Sequence, residues 1–187
     1  MNLEQIRIEG SSILEEIKQG INQLDFSQIE IVINEIQAAK RIFCLGAGRS
    51  GIMLQAFCMR LNHLGLQAFM LGTIPCPPAE PGDLVIAASG SGETVGVLAI
   101  LQKAKKLGVR TIVITTSNNS EISACADMVI RICAPKELVN DNSQSNQPMR
   151  TLFEQVSFII YELIITILKK RQHISEEEMA KRHANLE

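Results

Sequence analysis

The sequence predicts an α/β fold, a parallel sheet with helices on both faces, and three observations predict it. Short apolar runs recur at 42–45, 67–71, 84–88, 111–115 and 128–132. Helical patterns at 52–64, 95–107 and 119–125 fall between them. Two of the strand-to-helix junctions are rich in glycine and hydroxyl residues. Strands alternating with helices at this spacing form βαβ units. Right-handed crossovers then place helices on both sides of the sheet.

The chain of 187 residues suits one domain. It divides into N-terminal helices over 1–40, an α/β core over 41–133, and a loop with C-terminal helices over 134–187. Ile6, Ile13, Ile17, Ile21 and Leu24 fall at helical spacing, and Ile29, Val32, Ile33 and Ile36 repeat the pattern. Asp25-Phe26-Ser27 separates the two helices, with Ser27 as the expected N-cap of the second. These helices carry no recognisable chemistry and read as packing or oligomer contacts. Four prolines between Thr73 and Gly82 mark a loop.

Residues 134–150 form the longest irregular stretch, a length that usually signals function or disorder. A helix follows from Thr151 to about Arg171. Thr151 and Glu154 fit a capping box, threonine as N-cap and glutamate three residues on. The helix is apolar around most of its circumference, so burial on several sides is expected, including against another subunit. Its apolar run, Val156 to Leu168, is interrupted by Glu162 and is short for a bilayer. Ser175-Glu176-Glu177-Glu178 starts a last helix with another cap.

Composition excludes several classes. Net charge is -2 with scattered basic residues, which is no footprint for nucleic acid. The N-terminus has early acidic residues and no apolar signal core, so the expectation is a cytoplasmic protein that binds neither membrane nor nucleic acid. The five cysteines include no CxxC pair. Cys44, Cys58, Cys125 and Cys133 read as small core residues of a reduced protein, and Cys76, between prolines, is the candidate for exposure.

The chemistry lies in the two junctions. Ser89-Gly90-Ser91-Gly92-Glu93-Thr94 follows an apolar strand and opens a helix. The first amides of a helix lack internal partners and its dipole is positive there, so this order makes an anion site. Ser89, Ser91 and Thr94 can each donate to a phosphate oxygen, while Gly90 and Gly92 allow close approach. With no lysine in the loop, the pattern is not the nucleotide-binding GxxxxGK[ST] loop. The plainer alternative is a helix cap with flexible glycines.

Gly46-Ala47-Gly48-Arg49-Ser50-Gly51 matches GxGxxG, yet no acidic residue follows at 66–72 to hold a ribose, which removes the dinucleotide reading. Ser50 is instead a further hydroxyl for the same phosphate. Arg49 has three readings: it meets the phosphate, a neighbouring subunit, or solvent.

Four segments together resemble a known family: GAGRSG at 46–51, SGSGET at 89–94, QPxx[ST]LFEQ at 147–155 and RHANLE at 182–187. The chain is similar to 6-phospho-3-hexuloisomerases of the sugar isomerase (SIS) domain superfamily. SGSGET indicates only the superfamily; LFEQ and RHANLE are more specific. The resemblance implies a flavodoxin-like three-layer α/β/α fold with a five-stranded parallel sheet. It implies a homotetramer with active sites at subunit interfaces. The implied reaction converts D-arabino-hex-3-ulose 6-phosphate to D-fructose 6-phosphate, a step of the ribulose monophosphate pathway of formaldehyde fixation.

By the same resemblance, the substrate-binding positions are Gly48, Arg49, Ser50, Ser89, Gly90, Ser91, Gly92, Glu93 and Thr94. Glu154 is the implied proton acceptor, and His183 approaches the site from a neighbouring subunit. Two positions depart from the family: Arg150 stands where glycine is usual, and the Cys76-Pro77 loop differs from the commoner pattern.

Moving a ketone from C3 to C2 takes a proton from C2 and returns one at C3 through an enediol or enediolate. That chemistry calls for no cofactor and no metal, only a carboxylate of suitable basicity. Glu154 is a base or only a cap partner, Glu93 is its rival in the phosphate loop, and His183 is an acid or a surface residue. Two further classes compete: a non-catalytic sugar-phosphate sensor, and an isomerase for another phosphosugar.

Overall fold

A computed structural model describes residues 2–134, 145–149 and 151–186. Arg150 and most of the irregular 134–150 stretch lie outside the described residues. The element order is α1 (Leu3–Asn22), α2 (Phe26–Ala38), β1 (Ile42–Gly46), α3 (Gly48–His63), β2 (Ala68–Met70), β3 (Leu84–Ala88), α4 (Val95–Lys106), β4 (Arg110–Thr115), α5 (Glu121–Cys125), β5 (Met128–Arg131), α6 (Thr151–Arg171) and α7 (Glu176–Lys181). The five strands run parallel in the order β2-β1-β3-β4-β5. That is the doubly wound order in which the chain first steps one way from β1, then back past it.

Alternate residues of each strand feed two cores, as the pleat requires. Ile42, Cys44, Leu84, Ile86, Ile112 and Ile114 pack with α2, α3 and α6. Phe43, Leu45, Val85, Ala87 and Val113 pack with α4 and α5 on the other face. Both faces are covered, so the strands read as near-continuous apolar runs.

α6 is the main core helix beside the sheet. Phe153, Val156, Ile160, Tyr161, Ile164 and Leu168 are buried, and Tyr161 stacks on Phe57 of α3 with ring centroids 4.8 Å apart. With 21 residues the helix is long and apolar enough to cross a membrane, contrary to the short apolar run read from the sequence, yet half of its apolar window is buried inside this fold. α1 crosses it closely at Gly20, where a Cβ would come within 2.8 Å of Val156.

Three boundaries differ from expectation. α2 is capped by Asp25, whose carboxylate accepts from the Ser27 amide at 2.9 Å and the Ser27 hydroxyl at 2.6 Å, so Ser27 lies inside the helix. Both are capping residue types, and the chain uses the earlier one. α3 begins at Gly48 rather than Ile52, which puts Arg49, Ser50 and Gly51 in a helical turn instead of a loop. Thr151 is the first residue of α6 and not its N-cap; its hydroxyl donates to the Pro148 carbonyl at 2.7 Å.

A short strap, residues 145–149, leads into α6 and is tied to α1 by one carboxylate. Glu16 accepts from the Ser145 hydroxyl at 2.6 Å, the Asn146 amide at 3.0 Å and the Gln147 side-chain amide at 3.0 Å. Burial pushes its carboxyl up, but these three donors outweigh it and hold it below the ordinary value of 4.5. A carboxyl lowered by folding stabilises the strap above its ordinary value and loses that effect as the pH falls through the folded value. Hydrogen-exchange protection of the Asn146 amide should therefore hold at neutral pH and fall away below the ordinary carboxylate value. In Glu16→Gln it should be weak at every pH. Protection that stays constant into acid in the wild type would contradict this account of the strap.

Candidate active site

β1 and β3 are neighbours, paired from Ile42↔Leu84 to Gly46↔Ala88. Their helices, α3 and α4, leave from the same end of the sheet onto opposite faces. Open α/β sheets hold ligands in such a crevice.

The GAGRSG turn is built by contact between its two outer glycines. A Cβ on Gly51 would lie 2.7 Å from the Gly46 carbonyl oxygen, and a Cβ on Gly46 would lie 2.9 Å from the Gly51 backbone. Only glycine at both places lets α3 start this close to the end of β1. Gly48 supplies the positive φ of 55° that turns the chain into the helix.

The second loop is held from below by β4. The Ser89 amide donates to the Ile114 carbonyl at 3.0 Å. The Gly90 carbonyl accepts from the Thr116 hydroxyl at 2.7 Å. Gly92 has φ of 71°, and a Cβ there would overlap the Ser120 side chain. The hydroxyls of Ser89 and Thr94 are 2.9 Å apart and share a hydrogen bond, and the Ser91 hydroxyl accepts from the Glu93 amide at 3.1 Å. Thr94 occupies the N-cap position of α4 without capping through its side chain. Its hydroxyl faces Ser89 instead.

A cavity of about 270 Å³ opens between these loops and the start of α6. Gly48, Arg49, Ser50, Ser89, Gly90, Ser91 and Thr94 line it, as does Glu154. Of the residues singled out in the sequence, Gly92 and Glu93 are not among its lining: Gly92 packs against Ser120, and Glu93 is exposed. Pro148 and Met149 of the strap complete the rim; Gln147-Pro148 was visible as a motif, but nothing in the pattern placed Met149 there.

Glu154 stands on the first turn of α6. Its carboxylate meets the Arg49 Nε at 2.5 Å. The Glu154 side chain is 12% exposed and that of Arg49 57%. Solvent around Arg49 weakens the pair, so Arg49 orders the carboxylate without locking it.

His183 lies elsewhere in this chain. Its ring packs on His63, centroids 5.2 Å apart, and the neighbouring Arg182 donates to the His63 carbonyl at 3.0 Å. Burial, with Arg60 and His183 nearby, holds His63 below the usual imidazole range. His63 ends α3, and the cavity lies at the helix's first turn, roughly 20 Å away at about 1.5 Å per residue. A second groove, of about 700 Å³, runs beside Arg60, Lys169, Lys170 and His173. It is larger but lacks the hydroxyl loops of the first.

The SIS domain model matches residues 35–159. A 3-hexulose-6-phosphate isomerase of Bacillus subtilis is 37% identical over 178 residues, covering 95% of this chain and 96% of that protein. Another, from Mycobacterium gastri, is 36% identical, covering 95% and 89%. A crystal structure from Methanococcus jannaschii, whose inferred function is 3-hexulose-6-phosphate isomerase, superposes with a TM-score of 0.81 at 34% identity, over 99% of this chain and 100% of that one. The chain belongs to the SIS-domain family, within the branch of the 3-hexulose-6-phosphate isomerases.

Proposed function

We propose that this protein is a cytoplasmic sugar-phosphate isomerase converting D-arabino-hex-3-ulose 6-phosphate to D-fructose 6-phosphate. The observation that carries the reading is one cavity in which the carboxylate of Glu154 meets two hydroxyl-rich helix starts. The phosphate sits against Ser50, Ser89, Ser91 and Thr94, where free amides and the α3 and α4 dipoles favour an anion. Gly48 and Gly90 let it approach the backbone, and Gly92 keeps the loop in shape. Glu93 steadies the loop or meets a sugar hydroxyl. Glu154 lines the cavity, whereas Glu93 is exposed and outside its lining, so the proton transfer falls to Glu154.

The carboxylate takes the C2 proton, the electron pair moves into a C2–C3 double bond, and the C3 oxygen takes up negative charge or a proton. The C2 hydroxyl proton passes to the C3 oxygen, the double-bond pair takes the carboxylate's proton at C3 as C2=O forms, and the ketone stands at C2. The sum is zero for atoms and electrons.

His183 serves the site of a neighbouring copy in a homotetramer, because it is far from the cavity of its own chain. Exposed Leu3, Ile6, Ile8 and Leu14 on α1 give such an assembly an apolar surface to cover.

A general acid–base residue contributes about 10²- to 10⁴-fold. Glu154→Gln should lower kcat for fructose 6-phosphate formation by that factor and keep the binding of the sugar phosphate. Full activity in the variant would hand the proton transfer to Glu93 or His183. A hydrogen bond to a charged group is worth about 1.5–3 kcal/mol, so Ser89→Ala and Thr94→Ala should each raise KM about tenfold or more. Unchanged KM in both variants would remove the hydroxyl loop from phosphate binding.

A further inference from the structure

We propose that Arg49 is a latch on Glu154 that the phosphate of the substrate opens. The proposal rests on Glu154 being the proton-transfer group. Arg49 Nε contacts Glu154 Oε2 at 2.5 Å, and both side chains line the cavity that holds the Ser50, Ser89, Ser91 and Thr94 hydroxyls.

A cation in contact with a carboxylate favours its ionised form and makes it a weaker base. It also occupies an oxygen that must reach a C–H proton. While Arg49 holds it, the base is therefore ordered but subdued. A phosphate seated at Ser50, the residue next to Arg49, brings nearly two negative charges against the single charge of the carboxylate. The guanidinium has five donors, and its fork fits phosphate as well as carboxylate. The phosphate therefore competes for Arg49.

The two partners differ in what they lose on parting. Arg49 is 57% exposed, so it can swing toward the anion with little loss of packing. Glu154 is 12% exposed and stays in the cavity wall. With Arg49 drawn away, that carboxylate loses a cation while it keeps its partial desolvation, and it becomes a stronger base. Phosphate then binds the unlatched state better than the latched one, the differential affinity a ligand-driven change requires. Discrimination against sugars without phosphate appears in kcat as well as in KM, because part of the phosphate binding energy is used to free the base.

The test compares wild type, Arg49→Gln and Arg49→Lys on two substrates. On the phosphorylated ketose, the acid limb of kcat/KM against pH should move up by about one unit in Arg49→Gln, the low end of the effect of a neighbouring cation. Arg49→Lys should restore most of that displacement. On the same ketose without phosphate, inorganic phosphate should speed turnover by wild type. Arg49→Gln should turn this sugar over faster than wild type without added phosphate, and show no acceleration with it.

The difference asked for is the one Arg49 makes, whatever other groups Glu154 meets. An unmoved acid limb, or phosphate-free turnover that falls in Arg49→Gln, would overturn the latch and leave Arg49 a plain phosphate ligand. Glu154→Gln, measured alongside, separates the two levels. If it keeps full turnover, the base assignment fails and the latch with it. If it is inactive while the acid limb of Arg49→Gln stays put, the latch alone is wrong.

Discussion

Two parallel strands, β1 and β3, end side by side while the helices that follow them leave on opposite faces of the sheet. The rest of the site depends on that divergence. It leaves a crevice with a helix start on each wall. The closeness of the α3 wall depends on Gly46 and Gly51 touching backbone to backbone. On the α4 wall, Gly92 must pass over Ser120. The glycines of both motifs therefore act first on the path of the backbone, and through that path on the direction of Ser50, Ser89, Ser91 and Thr94.

The third wall comes from the far end of the sequence. α6 is anchored in the core through Phe153, Val156 and Tyr161, and its burial fixes the position of its first turn. Glu154 stands on that turn, close to the point where the chain turns solvated. A carboxylate placed by a core helix has a defined position at low exposure, while its partner Arg49 stays wet. The strap held by Glu16 closes the rim above them. Core packing, a weak ion pair and a hydrogen-bonded strap thus meet at one carboxylate.

The sheet was legible because each strand is buried on both faces, so its apolar run is continuous, and because helical periodicity resumes between runs. The two loops that line the cavity were legible for a local reason: glycine and hydroxyl residues stand directly between strand and helix. Boundaries were less legible where two residues could do one job. Asp25 and Ser27 are both good caps, and only the fold shows that the aspartate is used. Gly48 and Gly51 read as loop because glycine is rare inside helices. Here they open one, since Gly51 is selected by the contact with Gly46 and not by propensity. Thr151 satisfied an N-cap pattern, yet it is the first residue of α6. The Arg49 contact could not be read locally, because it joins two distant segments that only the fold brings together. The same holds for Glu16, an unremarkable acid in an amphipathic helix until the strap returns to it. The roles of Glu154 and His183 came from resemblance of the LFEQ and RHANLE segments, and in its own chain His183 lies beside His63, away from the cavity.

A crystal structure with fructose 6-phosphate bound is the most direct test of the central claim that one cavity holds both phosphate and base. The expected result is a phosphate within hydrogen-bond distance of the Ser50, Ser89, Ser91 and Thr94 hydroxyls. The sugar should extend toward α6, with a Glu154 oxygen near C3 and within about 3.2 Å of a bound hydroxyl or its water. A phosphate found instead in the basic groove beside Arg60, Lys169 and Lys170, with the β1–β3 crevice empty, would contradict it.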